Sequence, residues 1–269
     1  MRLSDARVVL TGASGGIGLA IATALCASGA RVLAVARHRE PLAPLLERYP
    51  QHLSWIGADL TVAAERRAVF AKANTLGGIN LLINAAGVNH FAMLEQLDDS
   101  EINALLAVNI GAPICLTRLL LPLLKQADSA MVVNVGSTYG SIGYPGYASY
   151  CASKFALRGF SEALRRELAD TRVSVLYVAP RATRTTMNSA AAQALNDALK
   201  ANVDDPHTVA SAVIHAIAGD RRDVYLGWPE RFFVRLNSLL PHLVDRGLRK
   251  QLPLIRRLSQ KTDPEKPKP

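Results

Sequence analysis

A glycine-rich turn stands between a short apolar run and an apolar helix near the start of the chain. Residues 7–11 have the character of a strand buried on both faces of a parallel sheet. Gly12, Gly16 and Gly18 follow at once, and residues 19–25 are apolar with helical character. A helix that begins after such a turn presents unpaired N–H groups to a pyrophosphate, although the glycines could also form a simple tight turn. The strand and helix around the turn favour a dinucleotide-binding α/β fold.

Short apolar segments alternate with stretches of helical character along the whole chain. The predicted strands are residues 7–11, 31–36, 53–57, 80–84, 130–136, 173–178 and 223–226. Alternating strands and helices imply crossover connections, so the pattern predicts a doubly wound parallel sheet of the Rossmann type. With 269 residues, 49% of them hydrophobic, the chain can bury one such core, which we assign to a single domain over residues 1–227.

Two observations exclude other classes of protein. The longest apolar segment, residues 102–124, is interrupted by polar residues such as Asn109, so it is predicted to be a buried or interface helix rather than a membrane span. Cys26, Cys115 and Cys151 are an odd number at unrelated spacings. They argue against a disulfide framework or a zinc site and fit a reducing compartment, and no metal site is predicted.

Tyr150 and Lys154 stand four residues apart in a segment predicted to be helical. This spacing places a phenol and an ammonium on one helix face. Since a nearby positive charge favours the phenolate, Lys154 is predicted to lower the pKa of Tyr150 from its ordinary value near ~10. The pair is therefore a candidate for proton transfer, although the same spacing also occurs on solvated helix faces.

Taken together, these motifs resemble the short-chain dehydrogenase/reductase family over about residues 4–227. The glycines follow the family pattern TGxxxGxG, the Tyr150 and Lys154 pair follows YxxxK, and Ser137 precedes Tyr150 by thirteen residues. Further matches in family order are Asp59, Leu60, Asn84-Ala85-Ala86-Gly87, Asn109 and the segment from Pro180 to Thr185. The resemblance implies hydride transfer between C4 of a nicotinamide and a carbonyl or alcohol carbon.

The resemblance also implies four catalytic residues. Tyr150 would be the general acid or base, Lys154 would hold the nicotinamide ribose, and Ser137 would bind the substrate oxygen. Asn109 would hold a water molecule that links Lys154 to solvent, or else it marks a helix kink near Pro113.

The remaining matched residues are predicted to bind the cofactor. Asp59 would contact the adenine, or cap the following helix, and Thr185 would contact the carboxamide. The small residues at 85–87 would let the backbone run close to the ribose. The predicted cofactor set is Gly12, Ser14, Gly16, Ile17, Gly18, Arg37, Asp59, Leu60, Asn84, Ala85, Ala86, Gly87, Tyr150, Lys154, Pro180, Thr183 and Thr185.

The end of the second predicted strand indicates which nicotinamide cofactor is preferred. NAD enzymes usually carry an acidic residue there, whereas this chain has Ala36 and Arg37. Arginine attracts the 2′-phosphate of NADP(H), and Ser14 is a second candidate phosphate contact. These residues favour NADP(H) over NAD(H), unless Arg37 and Arg39 are merely solvated charges.

One residue departs from the family pattern. Where the family has Pro-Gly after the sixth strand, this chain has Pro180-Arg181. Arg181 is predicted to be an exposed replacement with ordinary backbone angles, and the alternative is a contact with an acidic substrate.

The predicted substrate site is apolar. The alanine-rich segment from residue 180 to about 203 would be a mobile lid, and His90, Tyr139, Tyr144 and Tyr147 are predicted to line the pocket. A hydrophobic carbonyl or secondary alcohol is the expected substrate, with a 3-oxoacyl thioester as the main rival. A non-catalytic cofactor-binding or membrane-associated protein is the alternative of another class, and the complete catalytic set argues against it.

Positive charge is concentrated at the end of the chain. Residues 221–269 contain 12 basic and 5 acidic residues, a net of +7 out of the +9 of the whole chain. Over residues 228–258 apolar residues interleave with arginines, which predicts an amphipathic helical extension. It would dock on an anionic membrane or an acidic carrier protein, or else form an oligomer contact or a cover over the substrate cleft. Nucleic acid is not an expected partner.

Three further expectations complete the sequence interpretation. Residues 259–269 are predicted to be a disordered tail. Residues 1–10 show no secretory pattern, so the protein is expected in the cytoplasm, either free or peripheral at the inner face of a membrane. The family resemblance favours a dimer or tetramer that forms through the 102–124 helix and the Tyr150 helix.

Overall fold

A seven-stranded parallel sheet organises the chain, and the computed structural model describes residues 1–260. The strands are β1 (Arg7–Thr11), β2 (Arg31–Val35), β3 (Leu53–Ile56), β4 (Leu81–Asn84), β5 (Ala130–Val135), β6 (Val173–Ala179) and β7 (Asp223–Tyr225). They lie in the order β3-β2-β1-β4-β5-β6-β7. The predicted doubly wound α/β fold is confirmed, and each strand boundary falls within one residue of the predicted one.

Helices fill the intervals between the strands and continue after the last one. They are α1 (Gly16–Ala27), α2 (Ala43–Arg48), α3 (Ala63–Thr75), α4 (Asp99–Leu106), α5 (Ala112–Lys125), α6 (Ala148–Glu167), α7 (Ala190–Ala198), α8 (Pro206–Ala218), α9 (Glu230–Leu239) and α10 (Pro241–Ser259). A π-helical turn, Ala107–Gly111, joins α4 to α5. Short 3-10 turns lie at Leu3–Asp5, Glu40–Leu42, Leu94–Gln96 and Thr138–Gly140.

The strand order creates a switch point between β1 and β4. β1 pairs with β2 on one side and with β4 on the other, so the chain winds in opposite directions from these two neighbours. Ligands of open parallel sheets bind in the crevice at the carboxyl ends of the strands at such a point. The fold therefore locates the candidate site beyond Thr11 and Asn84, where β1 and β4 end.

The sheet has an apolar core on each face. On one face α1 and α8 pack together, and Ile21 and Val213 are fully buried there. On the other face α3, α5 and α6 contribute Val69, Leu120 and Leu164. Because both faces are covered, the central strands need apolar residues at every position, which explains their continuous apolar sequence.

Asp99–Lys125 forms one helical stretch that includes the π-helical turn, and its length and hydropathy would allow it to cross a membrane. Its α5 part packs Leu116, Leu120 and Leu124 into the core against the sheet. The stretch is therefore a layer of the fold, as predicted for a buried or interface helix. The oligomer contact predicted for it remains a prediction.

The C-terminal helices pack on the rest of the molecule. α10 contacts both α7 and α9, and Ile255 and Leu258 are buried. The predicted tail begins too early, because Ser259 is the last helical residue and is 1% exposed. Residues 261–269 lie outside the described residues.

Candidate active site

The glycine turn after β1 requires glycine at two positions. Gly12 has a φ of +66°, and a Cβ there would lie 2.6 Å from the Ala86 Cα. A Cβ at Gly18 would overlap with the Gly12 carbonyl oxygen. Side chains at these positions would force β1, α1 and the segment after β4 apart, so the glycines hold these three elements together.

Thr11 connects the two strand ends that form the crevice. Its hydroxyl oxygen accepts hydrogen bonds from the backbone N–H groups of Ala85 and Ala86, at 3.0 and 3.1 Å. The small residues after β4 are thereby held against the glycine turn, as the predicted close approach requires. Sequence analysis did not single out Thr11, although a hydroxyl at the end of an apolar strand was a usable signal.

The Asn84 side chain forms hydrogen bonds inside the protein and not in the crevice. Its side-chain amide donates hydrogen bonds to Asn134 Oδ1 at 2.8 Å and to Thr117 Oγ1 at 3.1 Å. Asn134 in turn donates to Ser161 Oγ at 2.8 Å. We therefore assign the Asn84 side chain to a buried polar network, and only its backbone continues toward the site.

The start of α1 fits the pyrophosphate of a dinucleotide. The helix has no side-chain N-cap, and its first turn contains Gly16, Ile17 and Gly18. The N–H groups of a first helical turn have no intrahelical partners, so here they remain available to an anion. Half-buried Ser14 lies in the same turn, which is where a phosphate contact was predicted.

The segment after β6 meets the glycine turn from the opposite side. A Cβ at Gly16 would lie 2.9 Å from Thr185 Cγ2, so Thr185 borders the predicted cofactor crevice. Pro180 is buried, and its carbonyl oxygen accepts a hydrogen bond from the Thr138 N–H. Thr183 is buried, and its hydroxyl donates to the Arg181 carbonyl oxygen at 3.0 Å. Thr183 thus shapes the loop that carries Thr185.

Tyr150, Ser137 and Lys154 converge at the carboxyl edge of the sheet. The Ser137 side chain lies near the Tyr150 hydroxyl and favours its charged form. Lys154 Nζ lies 5.7 Å from the centroid of the Tyr150 ring and donates to the Val135 carbonyl oxygen at 3.2 Å. Tyr150 and Lys154 occupy the first two turns of α6, so the helical spacing predicted from the sequence brings them together.

The electrostatics of the Tyr150–Lys154 pair differ from the prediction. Burial raises the pKa of Tyr150 to about 12, and the nearby Ser137 side chain offsets part of this effect. Burial also lowers the pKa of Lys154 to about 8. The predicted lowering of the Tyr150 pKa by Lys154 is therefore wrong for this structure, because desolvation penalises both charged forms. Tyr150 remains a neutral phenol at neutral pH.

Tyr177 positions Ser137, a role that sequence analysis missed. Its hydroxyl donates to the Ser137 carbonyl oxygen at 3.2 Å and accepts from the Ser137 N–H at 3.4 Å. The ring occupies space that side chains at Gly136 or Gly140 would fill. The available signal was a tyrosine hydroxyl inside the apolar run of residues 175–179.

Asn109 lies in the π-helical turn and holds the backbone after β4. Its Oδ1 accepts from the Val88 N–H at 2.8 Å, while its Nδ2 donates to the Val88 carbonyl oxygen at 2.9 Å and to Ser153 Oγ at 3.0 Å. A Cβ at Gly87 would lie 3.3 Å from Asn109 Oδ1 and 3.6 Å from Lys154 Nζ. The structure thus places Asn109 beside Lys154, and the water that would link them remains a prediction.

Arg37 and Asp59 lie at the predicted adenosine side of the candidate site. Arg37 is exposed directly after β2, and Ala36 before it is buried. The hydroxyl and the backbone N–H of Thr61 lower the pKa of Asp59, and Arg37 adds to this effect. Asp59 closes its own turn and does not cap α3, whose N-cap is Val62. The neighbouring Leu60 is half-buried in the core on this face.

Tyr150 and the three predicted pocket tyrosines form one aromatic cluster. The Tyr139 and Tyr144 rings are stacked with centroids 5.0 Å apart, and Tyr147 lies 5.2 Å from Tyr139. Tyr150 lies 6.2 Å from Tyr147. The structure brings the three predicted tyrosines together, and His90 is half-buried on the segment before Phe91, which packs on Tyr147.

Helix α10 covers this aromatic cluster. Ile255 and Leu258 of α10 and Leu195 of α7 pack with the tyrosines in one apolar cluster. Tyr144 also donates a hydrogen bond to Gln251 Oε1 at 2.6 Å. Of the four roles expected for the C-terminal extension, the structure supports a cover over the cleft for its last turns.

Arg181 is neither an exposed replacement nor free for a substrate. Its Nη2 and Nε lie 2.8 and 3.0 Å from Asp204 Oδ1, and its Nη1 lies 3.2 Å from Glu230 Oε2. All three side chains are largely buried. Asp204 closes the predicted lid and Glu230 begins α9, so Arg181 joins the lid to the C-terminal helices. The exposure expected for Arg181 is wrong, because its partners lie 23 and 49 residues away, whereas the absence of a positive φ at Arg181 agrees with the expected backbone angles.

We expect Arg181→Ala to lower the free energy of unfolding by about 1–3 kcal/mol, because it leaves two carboxylates without their cation. The same change should raise KM more than it lowers kcat, since the lid loses a connection outside the catalytic set. Urea unfolding and steady-state kinetics measure the two effects. Exposed Arg184 is the matched control, and equal losses in Arg184→Ala would contradict a special role for the Arg181 ion pairs.

Lys154→Met is expected to stabilise the protein at pH 7 by roughly 1 kcal/mol while abolishing activity. The pKa of Lys154 is about 8 in the folded chain and 10.5 ordinarily. Between pH 8 and pH 10.5 the Lys154 side chain is protonated in the unfolded chain and neutral in the folded chain. The free energy of unfolding of the wild type therefore rises with pH over this range. The excess stability of the Met variant over the wild type should therefore be complete below pH 8 and should vanish toward pH 10.5. Urea titrations at several pH values test this, and a pH-independent difference would contradict it.

Comparisons with known proteins agree with this geometry. A family model described as short chain dehydrogenase matches residues 6–196. The "Uncharacterized oxidoreductase YxnA" of Bacillus subtilis is 29% identical over 93% of this chain and 73% of its own length. The 3-oxoacyl-[acyl-carrier-protein] reductase FabG of Vibrio harveyi is 30% identical over 80% of this chain and 90% of its own. A short chain dehydrogenase from Burkholderia cenocepacia, solved in complex with NADP, superposes with a TM-score of 0.80 at 26% identity, covering 92% of this chain and 99% of that one.

Proposed function

The chain belongs to the short-chain dehydrogenase family and is an oxidoreductase of that family, and from this premise we propose that it reduces a hydrophobic carbonyl compound with NADPH. The observation that carries the proposal is the convergence of Tyr150, Ser137 and Lys154 at the edge of the sheet where the glycine turn lies. A non-catalytic protein with this fold has no chemical need for that arrangement.

The proposed mechanism assigns one task to each side chain. A bound nicotinamide supplies the hydride. Ser137 donates a hydrogen bond to the substrate oxygen and holds it near the Tyr150 hydroxyl. Tyr150 donates its proton to the oxygen as negative charge develops there, and Lys154 stabilises the phenolate that results. At neutral pH the Tyr150 phenol is protonated, as an ordinary tyrosine is, and this is the form that donates a proton in carbonyl reduction.

The cofactor preference is proposed from the charge after β2. Exposed Arg37 directly follows β2, where the family resemblance predicts the 2′-phosphate, and the B. cenocepacia relative was solved with NADP. Arg37→Asp should raise the KM for NADPH by about tenfold or more and change the KM for NADH much less, because the new carboxylate repels only the phosphate. Initial rates with both cofactors measure this. An unchanged KM for NADPH would remove Arg37 from the phosphate site.

The substrate class is proposed from the aromatic cluster. Tyr139, Tyr144 and Tyr147 offer ring faces and little charge, so they suit an apolar group attached to the carbonyl. The second candidate substrate is a 3-oxoacyl thioester, which the similarity to the V. harveyi enzyme favours. A groove of about 470 Å³ runs between the start of α6 and α10, lined by Tyr144, Leu248 and Leu252 among others, and it gives an acyl chain a place to lie.

A substrate panel followed by NADPH absorbance tests both candidates. We expect turnover with apolar ketones or aldehydes, and the panel should include coenzyme A and acyl-carrier thioesters of 3-oxo acids. Turnover of thioesters alone would select the second candidate. If NADPH binds but no carbonyl compound in the panel is reduced, the proposed activity is wrong.

A further inference from the structure

Large apolar side chains are concentrated on one exposed part of the molecule. Within residues 1–260, twelve large apolar side chains are exposed, and six of them lie between residues 228 and 243. These six, which we call the apolar patch, are Trp228, Phe232, Phe233, Leu239, Leu240 and Leu243. Trp228 is 72% exposed and Leu239 is 78% exposed. Exposed apolar groups that lie together mark an interaction surface, because water solvates them poorly.

The fold holds the apolar patch in a fixed orientation. The Phe232 ring lies 6.0 Å from that of Trp228 and 5.8 Å from that of Phe233. Phe232 and Leu239 are seven residues apart, so they share the outer face of α9. Val234 lies on the opposite face and is buried. The aromatic side chains therefore face outward because the inner face of α9 is already packed.

Basic residues border the apolar patch. Arg231 and Arg235 are exposed and one helical turn apart, and neither forms an ion pair in the part of the chain that the structure describes. Residues 228–258 contain seven basic and two acidic residues. Because Glu230, one of the two acidic residues, is paired with Arg181, the exposed surface is more positive than this composition indicates.

We propose that the apolar patch and its arginines dock the protein on an anionic lipid bilayer. A bilayer surface takes up both features, since the aromatic and leucine side chains enter the boundary between headgroups and acyl chains while the arginines bind anionic headgroups. An acidic carrier protein would pair with the arginines but would leave six exposed large apolar side chains in water. The bilayer is therefore the occupant that the surface fits.

Docking would bring the active site close to the lipid. α10 begins beside the apolar patch and ends at Ile255 and Leu258, which cover the aromatic cluster around Tyr150. A lipophilic substrate would then pass from the bilayer to the pocket along one pair of helices. This consequence rests on the proposed function, whereas the docking itself does not.

Vesicle co-sedimentation of the full chain tests the docking. We expect the protein to sediment with vesicles of phosphatidylcholine and phosphatidylglycerol in equal parts, and much less with phosphatidylcholine alone. The triple variant Phe232→Ser/Phe233→Ser/Leu239→Ser and the double variant Arg231→Gln/Arg235→Gln should each bind at least about tenfold more weakly. The charge effect should shrink in high salt.

Control variants separate bilayer docking from misfolding and from an oligomer contact. Leu76→Ser alters an exposed leucine at the end of α3, far along the chain from the apolar patch, and should bind as the wild type does. Unchanged melting temperatures would show that the variants fold. Failure of the wild type to bind anionic vesicles would overturn the proposal. The proposal would also be overturned if the triple variant bound the vesicles as well as the wild type does. The same holds if the only change in the triple variant were a smaller oligomer in sedimentation velocity. Because vesicle binding needs no turnover, an inactive enzyme would leave this test intact.

Discussion

Tyr150→Phe is expected to lower kcat by about 10²–10⁴-fold while the affinity for NADPH changes little. The substitution removes the hydroxyl that donates the proton and leaves the ring in place, so packing against Tyr139 and Tyr147 is preserved. Ser137 loses a neighbouring hydroxyl but keeps the Tyr177 hydroxyl at its backbone. Single-turnover reduction followed by NADPH absorbance measures the chemical step, and fluorescence titration measures cofactor binding.

Tyr144→Phe is the matched control for the tyrosine prediction. Tyr144 belongs to the same cluster and donates a hydrogen bond to Gln251, outside the Ser137 and Lys154 arrangement. Loss of the Tyr144 hydroxyl should raise KM more than it lowers kcat, because Tyr144 borders the proposed pocket without reaching the reacting oxygen. If Tyr150→Phe retained most of its activity, Tyr150 would not be the proton donor and the proposed mechanism would be wrong.

Gly18→Ala is expected to weaken NADPH binding by about a hundredfold or more and to destabilise the fold by about 1–3 kcal/mol. A methyl group at this position would overlap with the Gly12 carbonyl oxygen, which is backbone and can move only if the turn opens. Opening the turn displaces the first-turn N–H groups of α1 from the pyrophosphate position. Cofactor titration and thermal unfolding measure the two effects.

Gly15→Ala provides the comparison within the same turn. Gly15 has a φ of −81°, and a Cβ there would lie 3.4 Å from the nearest atom, the Gly12 carbonyl oxygen. The backbone therefore accepts alanine, and stability should change by less than about 1 kcal/mol. Equal stability losses in Gly15→Ala and Gly18→Ala would contradict the steric argument, since only Gly18 lacks room for a methyl group.

The parts of the site that could be predicted from sequence are local or are repeated at fixed spacing. Tyr150 and Lys154 lie on one face because both belong to α6, and the glycine turn follows directly from its place between β1 and α1. Strand positions were predictable because a strand covered on both faces must be apolar throughout. Those patterns need no knowledge of distant contacts.

Other features depended on residues that are far apart in the chain. Arg181 reads as a departure from a family pattern, yet its role comes from Asp204 and Glu230, which folding alone brings to it. Likewise, the amphipathic character of residues 228–258 does not reveal that Ile255 and Leu258 cover the tyrosines. The amphipathic pattern was compatible with a membrane, a carrier protein, an oligomer contact or a cover over the cleft. Only the folded structure shows which part of the extension packs over the tyrosines.

By itself the sequence determined the α/β fold and the family and indicated the candidate catalytic residues, because all three depend on short-range spacing and apolar periodicity. Only the tertiary structure decided that burial raises the pKa of Tyr150, that Arg181 pairs with Asp204 and Glu230, and that α10 packs over the tyrosines. The physical reason is that desolvation and ion pairing depend on which distant side chains exclude water from a group. A linear sequence does not specify that environment until the chain has folded.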